Sequence, residues 1–502
     1  MWRQSIRAIL LGVLSSGLVA ASFQPLNLGP VLAWVALLPL LASLHGQGRV
    51  AAFALGAMFG LLVNLSLFAA LLPIPHLHLY QLLLLCGVFA WYPAAWCALM
   101  ARRDVRSPWW PWVGASLWVL LDYAKANAGF LAFPIGSLAQ TQVDDPWLLQ
   151  TAGVFGEAAV TFLVVLGNLV AWQGLRRAPA TQIAWAVMPI GLAFAFGAWA
   201  LQRPPPAEVG AVPVAVLHSN FSAFGPDHVP SAERMAYTVA FLRQGTPAGA
   251  KLLLLPESSF INPSADPALL ASLQKQADNG KLILVVGVAQ ALKFDRASGV
   301  VASAERKVRA GAWIFEPGQS RPRRYDKVHR LPFAEYLPLA GWIAWPAWLV
   351  PPPLEVVDSR QARAYPTSLG TPLGIMVCWE SVFASHARGL ARDGAGMLLQ
   401  LSNEGWFSGT AAGRKHNATV RLRAVETGRP VLASVNAGPA IIVDRFGRIV
   451  AQAASPAPLE WVTAQVEPAT QLSVYTRIGD LFVALCTLLI LAAFTLEARR
   501  TT

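Results

Sequence analysis

The feature that most constrains the fold of this chain is a series of apolar stretches long enough to cross a membrane. A hydrocarbon core about 30 Å thick requires roughly 17–25 apolar residues in a helix. The sequence contains eight such stretches, at 5–21, 30–45, 50–72, 79–101, 109–125, 157–175, 182–201 and 479–497. Charged residues make up only 13% of the 502 residues, about half of the ~25% found in soluble domains. The sequence therefore predicts an α-helical membrane bundle with eight spans and excludes an ordinary soluble enzyme.

Basic residues are distributed unevenly among the segments that connect these stretches. The loops 22–29, 73–78 and 126–156 contain no lysine or arginine. The segments on the other side contain ten arginines: Arg3, Arg7, Arg49, Arg102, Arg103, Arg106, Arg176, Arg177, Arg499 and Arg500. The positive-inside rule then predicts cytoplasmic N- and C-termini and places 203–477 on the outer face, in the periplasm of a bacterial inner (cell) membrane. A cleaved signal peptide at 1–21 is the alternative for the first stretch, and it leaves the other orientations unchanged.

The long polar segment divides the chain into three parts. Residues 1–202 form a transmembrane domain of seven helices, 203–477 form an outer domain, and 478–502 form a C-terminal transmembrane helix and cytoplasmic tail. The outer domain has a net charge of +8, which fits either a solvated surface or attraction to anionic lipid headgroups. No alternation of basic and aromatic residues indicates a nucleic-acid partner.

The outer domain alternates short apolar runs with helical patterns. Strands are predicted at 212–218, 251–256, 281–289, 309–315, 373–378, 395–402, 430–436, 439–444 and 460–466. Helices are predicted at 231–244, 266–278, 381–392 and 414–428. Such alternation is typical of an α/β domain in which helices pack on sheets.

One cysteine of the outer domain is a candidate nucleophile. Cys378 ends an apolar strand, has no partner cysteine in its domain and faces an oxidising compartment. A strand-to-helix turn offers free backbone N–H groups, which lower a thiol pKa and stabilise an oxyanion. A structural free thiol is the alternative. Small buried hydrophobes are expected at the three cysteines of the spans, Cys86, Cys97 and Cys486.

A nucleophile requires a base and a positive charge, and two residues are candidates. Glu257 follows an apolar strand, where burial would make it a base with a raised pKa. Lys327 lies among apolar and aromatic residues and could supply a fixed positive charge. A capping or surface glutamate and a solvated lysine are the alternatives, and spacing alone does not join these residues to Cys378.

Short motifs around these residues resemble a known superfamily. Leu-Pro-Glu-Ser at 255–258, Tyr-Asp-Lys at 325–327 and Val-Cys-Trp-Glu at 377–380 resemble the Glu–Lys–Cys triad motifs of the nitrilase superfamily. Ser-Asn-Glu-Gly-Trp-Phe at 402–407 resembles a stretch of its membrane branch, the apolipoprotein N-acyltransferases. The resemblance covers almost the whole chain. It implies eight spans and a nitrilase-like α-β-β-α sandwich for the outer domain.

The resemblance also implies an activity and a role for each matching residue. The family transfers an acyl chain from a phospholipid to the N-terminal amine of the diacylglyceryl-cysteine of a diacylated apolipoprotein. The implied route is a ping-pong reaction through a thioester on Cys378. Glu257 would be the general base, Lys327 would stabilise the oxyanion, and Glu335 and Glu380 would orient the lysine and the nucleophile loop.

Four further residues are predicted to bind substrate. Asn403 and Trp406 match a family loop near the site, although packing is an equal alternative for Trp406. Residues 337–354, with Trp342 and Trp345, are apolar but short and interrupted by prolines. Tryptophans suit the headgroup–acyl boundary, so this segment is predicted to be an arm dipping into the outer leaflet. The alternative is a loop packed over the sheet.

The sequence also departs from the family pattern. Segment 217–225 lacks the Gln, Lys and Trp that are common there. Trp379, Ala334 and Glu404 replace a common Tyr, Gly and Asp. A different amine acceptor is therefore an alternative, as are a membrane-tethered amidase that uses water and a binding protein that retains the fold.

No metal or cofactor is predicted. His76 and His78 lie in a short loop without cysteine or acidic neighbours, so they do not indicate a metal site. The sequence has no phosphate-binding glycine loop and no dinucleotide fingerprint.

Overall fold

A computed structural model of the chain describes most of its residues. The described residues are 2–23, 28–75, 77–101, 103–203, 210–224, 228–292, 307–350, 355–357, 359, 362–408, 410–454 and 457–501. His76, residue 225 of segment 217–225 and residues 351–354 of the predicted arm lie outside them. The chain forms two compact units, one of Met1–Pro205 with Ser473–Thr502 and one of Pro206–Leu472.

The first unit is helical. Before the second unit begins, its helices are α1 (Trp2–Ser22), α2 (Gly29–Leu32), α3 (Leu38–Leu44), α4 (Arg49–Phe68), α5 (Leu79–Met100), α6 (Trp110–Ala126), α7 (Pro146–Leu149), α8 (Ala152–Phe155), α9 (Glu157–Leu175) and α10 (Ala180–Leu201). Five described helical segments are long and apolar enough to cross a membrane: Gln4–Ser22, Arg49–Leu71, Leu79–Met100, Glu157–Leu175 and Ala180–Leu201.

The other three predicted spans are divided or short in the structure. The stretch 30–45 is divided between α2 and α3, and Pro39 lies in the first turn of α3. Proline fits a first turn but cannot continue a helix that began earlier, because it lacks an N–H and clashes with the preceding turn. Helix α6 has 17 residues, and the last apolar helical stretch, Leu481–Leu496, is also short. The count of eight spans is not confirmed and stays a prediction.

The second unit contains both helices and strands. Its helices are α11 (Ser231–Gln244), α12 (Pro267–Gly280), α13 (Ala384–Arg392) and α14 (Ala412–Thr427). Its strands are β1 (Val212–Ser219), β2 (Leu252–Leu254), β3 (Phe260–Ile261), β4 (Ile283–Ala291), β5 (Lys307–Phe315), β6 (Arg323–Asp326), β7 (Glu355–Val356), β8 (Leu373–Val377), β9 (Met397–Asn403), β10 (Val431–Asn436), β11 (Ile441–Val443), β12 (Ile449–Gln452) and β13 (Leu459–Val466). Helices α15 (Val474–Ile478) and α16 (Leu481–Thr501) then return the chain to the first unit.

The strands form two groups that meet at one point. One group runs in the order β13-β1-β2-β4-β5-β6, and the other in the order β8-β9-β10-β11-β12. Strands β1 and β10 pair only at Ser219 and Asn436, so a single residue pair joins the two groups. The central pairs β1–β2, β2–β4, β8–β9 and β9–β10 are parallel, and parallel strands are expected to be buried on both faces.

Buried side chains show how these elements are layered. Val214 and Val377, from the two strand groups, belong to one core between them. Leu273 of α12 packs on the other face of the first group, and Leu390 of α13 with Val420 of α14 packs on the other face of the second. The second unit is therefore a helix–sheet–sheet–helix arrangement, in which the core between the two strand groups forms the central layer.

The predicted strands and helices of this unit are confirmed, with ends shifted by a few residues. The predicted helix 381–392 begins later, at Ala384, because a 3₁₀ turn occupies Cys378–Val382. Four described strands are absent from the prediction, namely β3, β6, β7 and β12.

Candidate active site

Cys378 lies at the end of β8, where the chain changes direction. It is the first residue of the 3₁₀ turn, and its φ of 52° lies in the left-handed region that non-glycine residues rarely adopt. Such strained residues cluster at active sites. Burial raises the pKa of the Cys378 thiol well above its usual range, and the nearby Glu257 carboxylate raises it further. The expected lowering of this pKa by the turn is therefore wrong, and the resting thiol is protonated and requires a base.

Glu257 lies three residues beyond β2 and meets that requirement. Its carboxylate accepts a hydrogen bond from the Cys378 thiol, and its side chain is 11% exposed. Burial raises the pKa of Glu257 to about 7, although the charge of Lys327 opposes the rise. Gly287 of β4 permits this position, because an added Cβ would lie 2.6 Å from the Glu257 Cα and clash with the Pro256 carbonyl oxygen.

Lys327 directly follows β6 and is fully buried. Its Nζ lies 2.6 Å from Glu335 Oε1 and 3.9 Å from Glu257 Oε1. Burial alone would lower the pKa of this ammonium group, but the neighbouring negative charges, first that of Glu335, raise it above its usual range. Lys327 is thus a permanent cation. Glu335 is itself held by the Leu331 N–H, which donates to Oε2 at 2.8 Å.

Glu380 joins the two loops that carry the nucleophile and the lysine. Its buried carboxylate accepts hydrogen bonds from the N–H of Val377, just before Cys378, and from the N–H of Val328, just after Lys327. Its donors are Val377 N (2.7 Å), Val328 N (2.5 Å), His329 N (3.0 Å) and Tyr325 Oη (2.6 Å). Glu380 therefore fixes the thiol relative to the ammonium group without touching either.

Two of the predicted substrate-binding residues flank the end of β9. The Oδ1 of Asn403 accepts hydrogen bonds from the Gly405 N–H at 3.1 Å and the Asn436 Nδ2 at 2.8 Å, so this oxygen serves the fold. The indole of Trp406 is 47% exposed and meets the Phe224 ring edge-on at 5.0 Å between centroids. Contact of either residue with substrate stays a prediction.

The two arm tryptophans differ in their surroundings. Trp342 is 91% exposed. Trp345 is partly buried, donates from Nε1 to the Pro338 carbonyl oxygen at 2.6 Å and meets the Phe333 ring edge-on at 5.1 Å. The described part of the arm, 337–350, therefore packs through Trp345 and presents Trp342 outward.

A second polar cluster lies beside Cys378 and was not predicted from the sequence. His416 of α14 lies 2.6 Å from Glu404 Oε1 through Nδ1 and 2.7 Å from Ser381 Oγ through Nε2. The Ser381 hydroxyl lies 3.2 Å from the Cys378 carbonyl oxygen. Glu404 follows an apolar strand just as Glu257 does, and that signal could have indicated it.

Comparison with known proteins adds independent information. Residues 15–170 match the family described as apolipoprotein N-acyltransferase N-terminal domain, and residues 232–473 match the carbon-nitrogen hydrolase family. An apolipoprotein N-acyltransferase of Geobacter metallireducens is 30% identical over 513 residues, which covers 96% of this chain and 93% of the relative. One from Gloeobacter violaceus is 28% identical over 476 residues, which covers 89% and 86%.

Solved structures also resemble part of this chain. Saccharomyces cerevisiae Nit3, described as a member of branch 10 of the nitrilase superfamily, is 21% identical, covers 54% of this chain and 95% of its own, and has a TM-score of 0.39. An amidase from Nesterenkonia sp. is 14% identical, covers 55% of this chain and 95% of its own, and has a TM-score of 0.37.

Proposed function

This chain belongs to the apolipoprotein N-acyltransferase family, and we propose that it transfers an acyl chain from a phospholipid to the N-terminal amine of a diacylglyceryl-cysteine apolipoprotein. The observation that carries the proposal is the convergence of Glu257, Lys327 and Cys378 in one buried cluster. Among the described residues, five helical segments are able to cross a membrane, which suits an enzyme with two lipid substrates. No cofactor takes part in the proposed reaction.

The first half-reaction forms an acyl-enzyme. The ionised Glu257 accepts the thiol proton, and the Cys378 sulfur attacks the ester carbonyl carbon of the phospholipid. The Lys327 ammonium stabilises the oxyanion that develops on the carbonyl oxygen. The carbon–oxygen bond then breaks, and the leaving alkoxide takes the proton from Glu257. The products are a lysophospholipid and a thioester on Cys378.

The second half-reaction transfers the acyl chain to the amine. The neutral α-amine of the apolipoprotein attacks the thioester carbonyl, and Glu257 accepts a proton from the nitrogen as the bond forms. The carbon–sulfur bond breaks, and the departing sulfur recovers the proton from Glu257. The enzyme returns to its starting state and the product is an amide.

The same cluster could use water as the acceptor, so its surroundings decide the product. A thioester persists for an amine only where water is excluded. The exposed Trp342 beside partly buried Trp345 supports a lipid-facing arm, because tryptophans favour the headgroup level. The arginine distribution supports a periplasmic location for this chemistry, with both chain termini cytoplasmic and eight spans in total.

Product analysis in vesicles tests the proposed function. The full-length chain is reconstituted with phosphatidylethanolamine carrying deuterated acyl chains and is given a synthetic peptide that begins with diacylglyceryl-cysteine. We expect a deuterated acyl amide on this peptide by mass spectrometry. A matched peptide with an acetylated N-terminus should gain no acyl chain. Release of deuterated fatty acid with no acylated peptide would instead indicate a hydrolase.

The pH dependence of transfer should report the ionisation of Glu257. A carboxyl group whose pKa is raised to about 7 is protonated, and therefore inactive as a base, at lower pH. We expect the single-turnover rate of acyl-enzyme formation to fall about tenfold per pH unit below 7 and to level off above it. A rate that stays flat from pH 5 to 8 would contradict the role of Glu257.

A further inference from the structure

The acid–imidazole–hydroxyl cluster beside Cys378 has no role in the two half-reactions. It runs from the Glu404 carboxylate through both nitrogens of His416 to the Ser381 hydroxyl. The imidazole and the carboxylate are largely buried, and the hydroxyl is fully buried. Buried polar chains of this kind are retained only where every member has partners, since an unpaired member is costly. We name these three residues the His416 chain.

Each end of the His416 chain is attached to a functional loop. At one end, the Ser381 hydroxyl contacts the carbonyl oxygen of Cys378 itself. At the other end, Glu404 begins the 3₁₀ turn Glu404–Phe407, which carries the half-exposed Trp406. His416 therefore links the nucleophile to a loop that is predicted to bind substrate.

Additional hydrogen bonds fix the orientation of the His416 chain. The Ser402 hydroxyl donates to Glu404 Oε1 at 2.8 Å. The Gln400 amide lies 3.0 Å from both the Ser381 hydroxyl and the His416 Nε2. With Nδ1–H donated to the carboxylate, Nε2 accepts from the Gln400 amide, and the single proton of the Ser381 hydroxyl is donated to the Cys378 carbonyl oxygen. The imidazole is thus held from both sides.

We propose that Glu404, His416 and Ser381 are positioning residues, which hold Cys378 in its left-handed conformation and so aim its sulfur. A left-handed residue other than glycine is strained and persists only when its surroundings impose that conformation. The contact of Ser381 with the Cys378 carbonyl oxygen is one such restraint. The inference rests on the proposed function in taking Cys378 as the reacting group.

The charge on Glu404 gives the His416 chain a second effect, which is on the pKa of the Cys378 thiol. The groups that influence the pKa of Cys378 are Glu257, Lys327, Glu404 and Glu335, and each carboxylate among them raises it. The pKa of Glu404 is itself held low: burial alone would raise it, but the imidazole outweighs burial. Glu404 therefore stays ionised and opposes formation of the thiolate.

Alkylation of Cys378 by iodoacetamide tests the positioning role without any lipid. The rate is measured on the full-length chain in detergent, and mass spectrometry of the Cys378 peptide separates it from the other cysteines. His416→Leu should slow alkylation and acyl-enzyme formation by about tenfold or more, because misplaced reacting groups lose rate steeply. The KM for phospholipid should stay unchanged. His416→Gln, which can still bond to both neighbours, should stay within about threefold of wild type.

Further variants separate positioning from folding. Arg414→Gln, at an exposed residue of α14, is the matched control and should alkylate as wild type does. If His416→Leu fails to fold, Ser381→Ala removes the contact with Cys378 at little cost in volume, and it should slow alkylation in a folded protein. Glu404→Gln should move the midpoint of the alkylation–pH curve to lower pH, since a negative charge that raises the pKa of Cys378 is removed. A purely structural role would not move this midpoint.

The outcomes decide the inference and the proposed function separately. A folded His416→Leu variant that alkylates within twofold of wild type, together with an unchanged midpoint in Glu404→Gln, would overturn the positioning role. If wild type transfers no acyl chain but the variants alkylate as expected, the proposed function fails and the positioning role stands.

Discussion

Replacing Cys378 with alanine is expected to abolish acyl transfer, with a loss of at least about 1,000-fold. Cys378 is the one thiol of the described cluster, and loss of the nucleophile of a covalent mechanism removes most of its rate enhancement. Cys378→Ser should also lose at least about 100-fold, because a hydroxyl is a poorer nucleophile and is harder for Glu257 to deprotonate. Transfer to the diacylated peptide in vesicles is the measurement.

The cysteines of the helical unit supply the control for this substitution. Cys486 of α16 is buried and belongs to a different unit from the catalytic cluster. Cys486→Ala should therefore transfer at close to the wild-type rate. Wild-type transfer by Cys378→Ala would show that the acyl chain passes directly between substrates or through another residue.

Replacing Lys327 with methionine is expected to lower the rate of acyl-enzyme formation by about 100- to 1,000-fold. Removing one preorganised hydrogen-bond donor to an oxyanion lowers a catalytic rate by about this factor. The substitution also leaves the carboxylates of Glu257 and Glu335 without their cation, which raises the pKa of Glu257 and leaves less of the base ionised at neutral pH. Single-turnover kinetics with phospholipid and no acceptor measure the loss directly.

A second lysine of the same unit serves as the control. Lys307 has a side chain that is 44% exposed and forms an ion pair with Glu355 at 3.6 Å. Exposed ion pairs contribute little to the stability of a protein, so Lys307→Met should form the acyl-enzyme at close to the wild-type rate. A Lys327→Met variant that is folded and keeps more than about a tenth of the wild-type rate would contradict an oxyanion role.

The fold of the second unit was predictable where strands are buried on both faces, because such strands form continuous apolar runs. Strand β6 was missed for the opposite reason. Of its residues, only Tyr325 is buried, while Arg323, Arg324 and Asp326 reach toward solvent or ion-pair partners. The break before Pro39 was marked by the proline itself, but hydropathy alone does not show where a helix stops.

The residues of the candidate site could be predicted from the sequence, but their burial and their positions relative to one another could not. The motifs identified Glu257, Lys327 and Cys378, yet the raised pKa of the thiol depends on burial that no motif encodes. His416 was missed because its partners are distant in the sequence. Ser381 lies 35 residues before it, and only the packing of α14 against the turn after β8 brings them together.

The most direct measurement is the mass of the Cys378 peptide after the full-length chain has been incubated with phospholipid and no acceptor. A covalent intermediate predicts that this peptide gains one acyl chain, that hydroxylamine removes it, and that the diacylated peptide discharges it as an amide. An unmodified Cys378 peptide in a preparation that still acylates the acceptor would contradict the thioester.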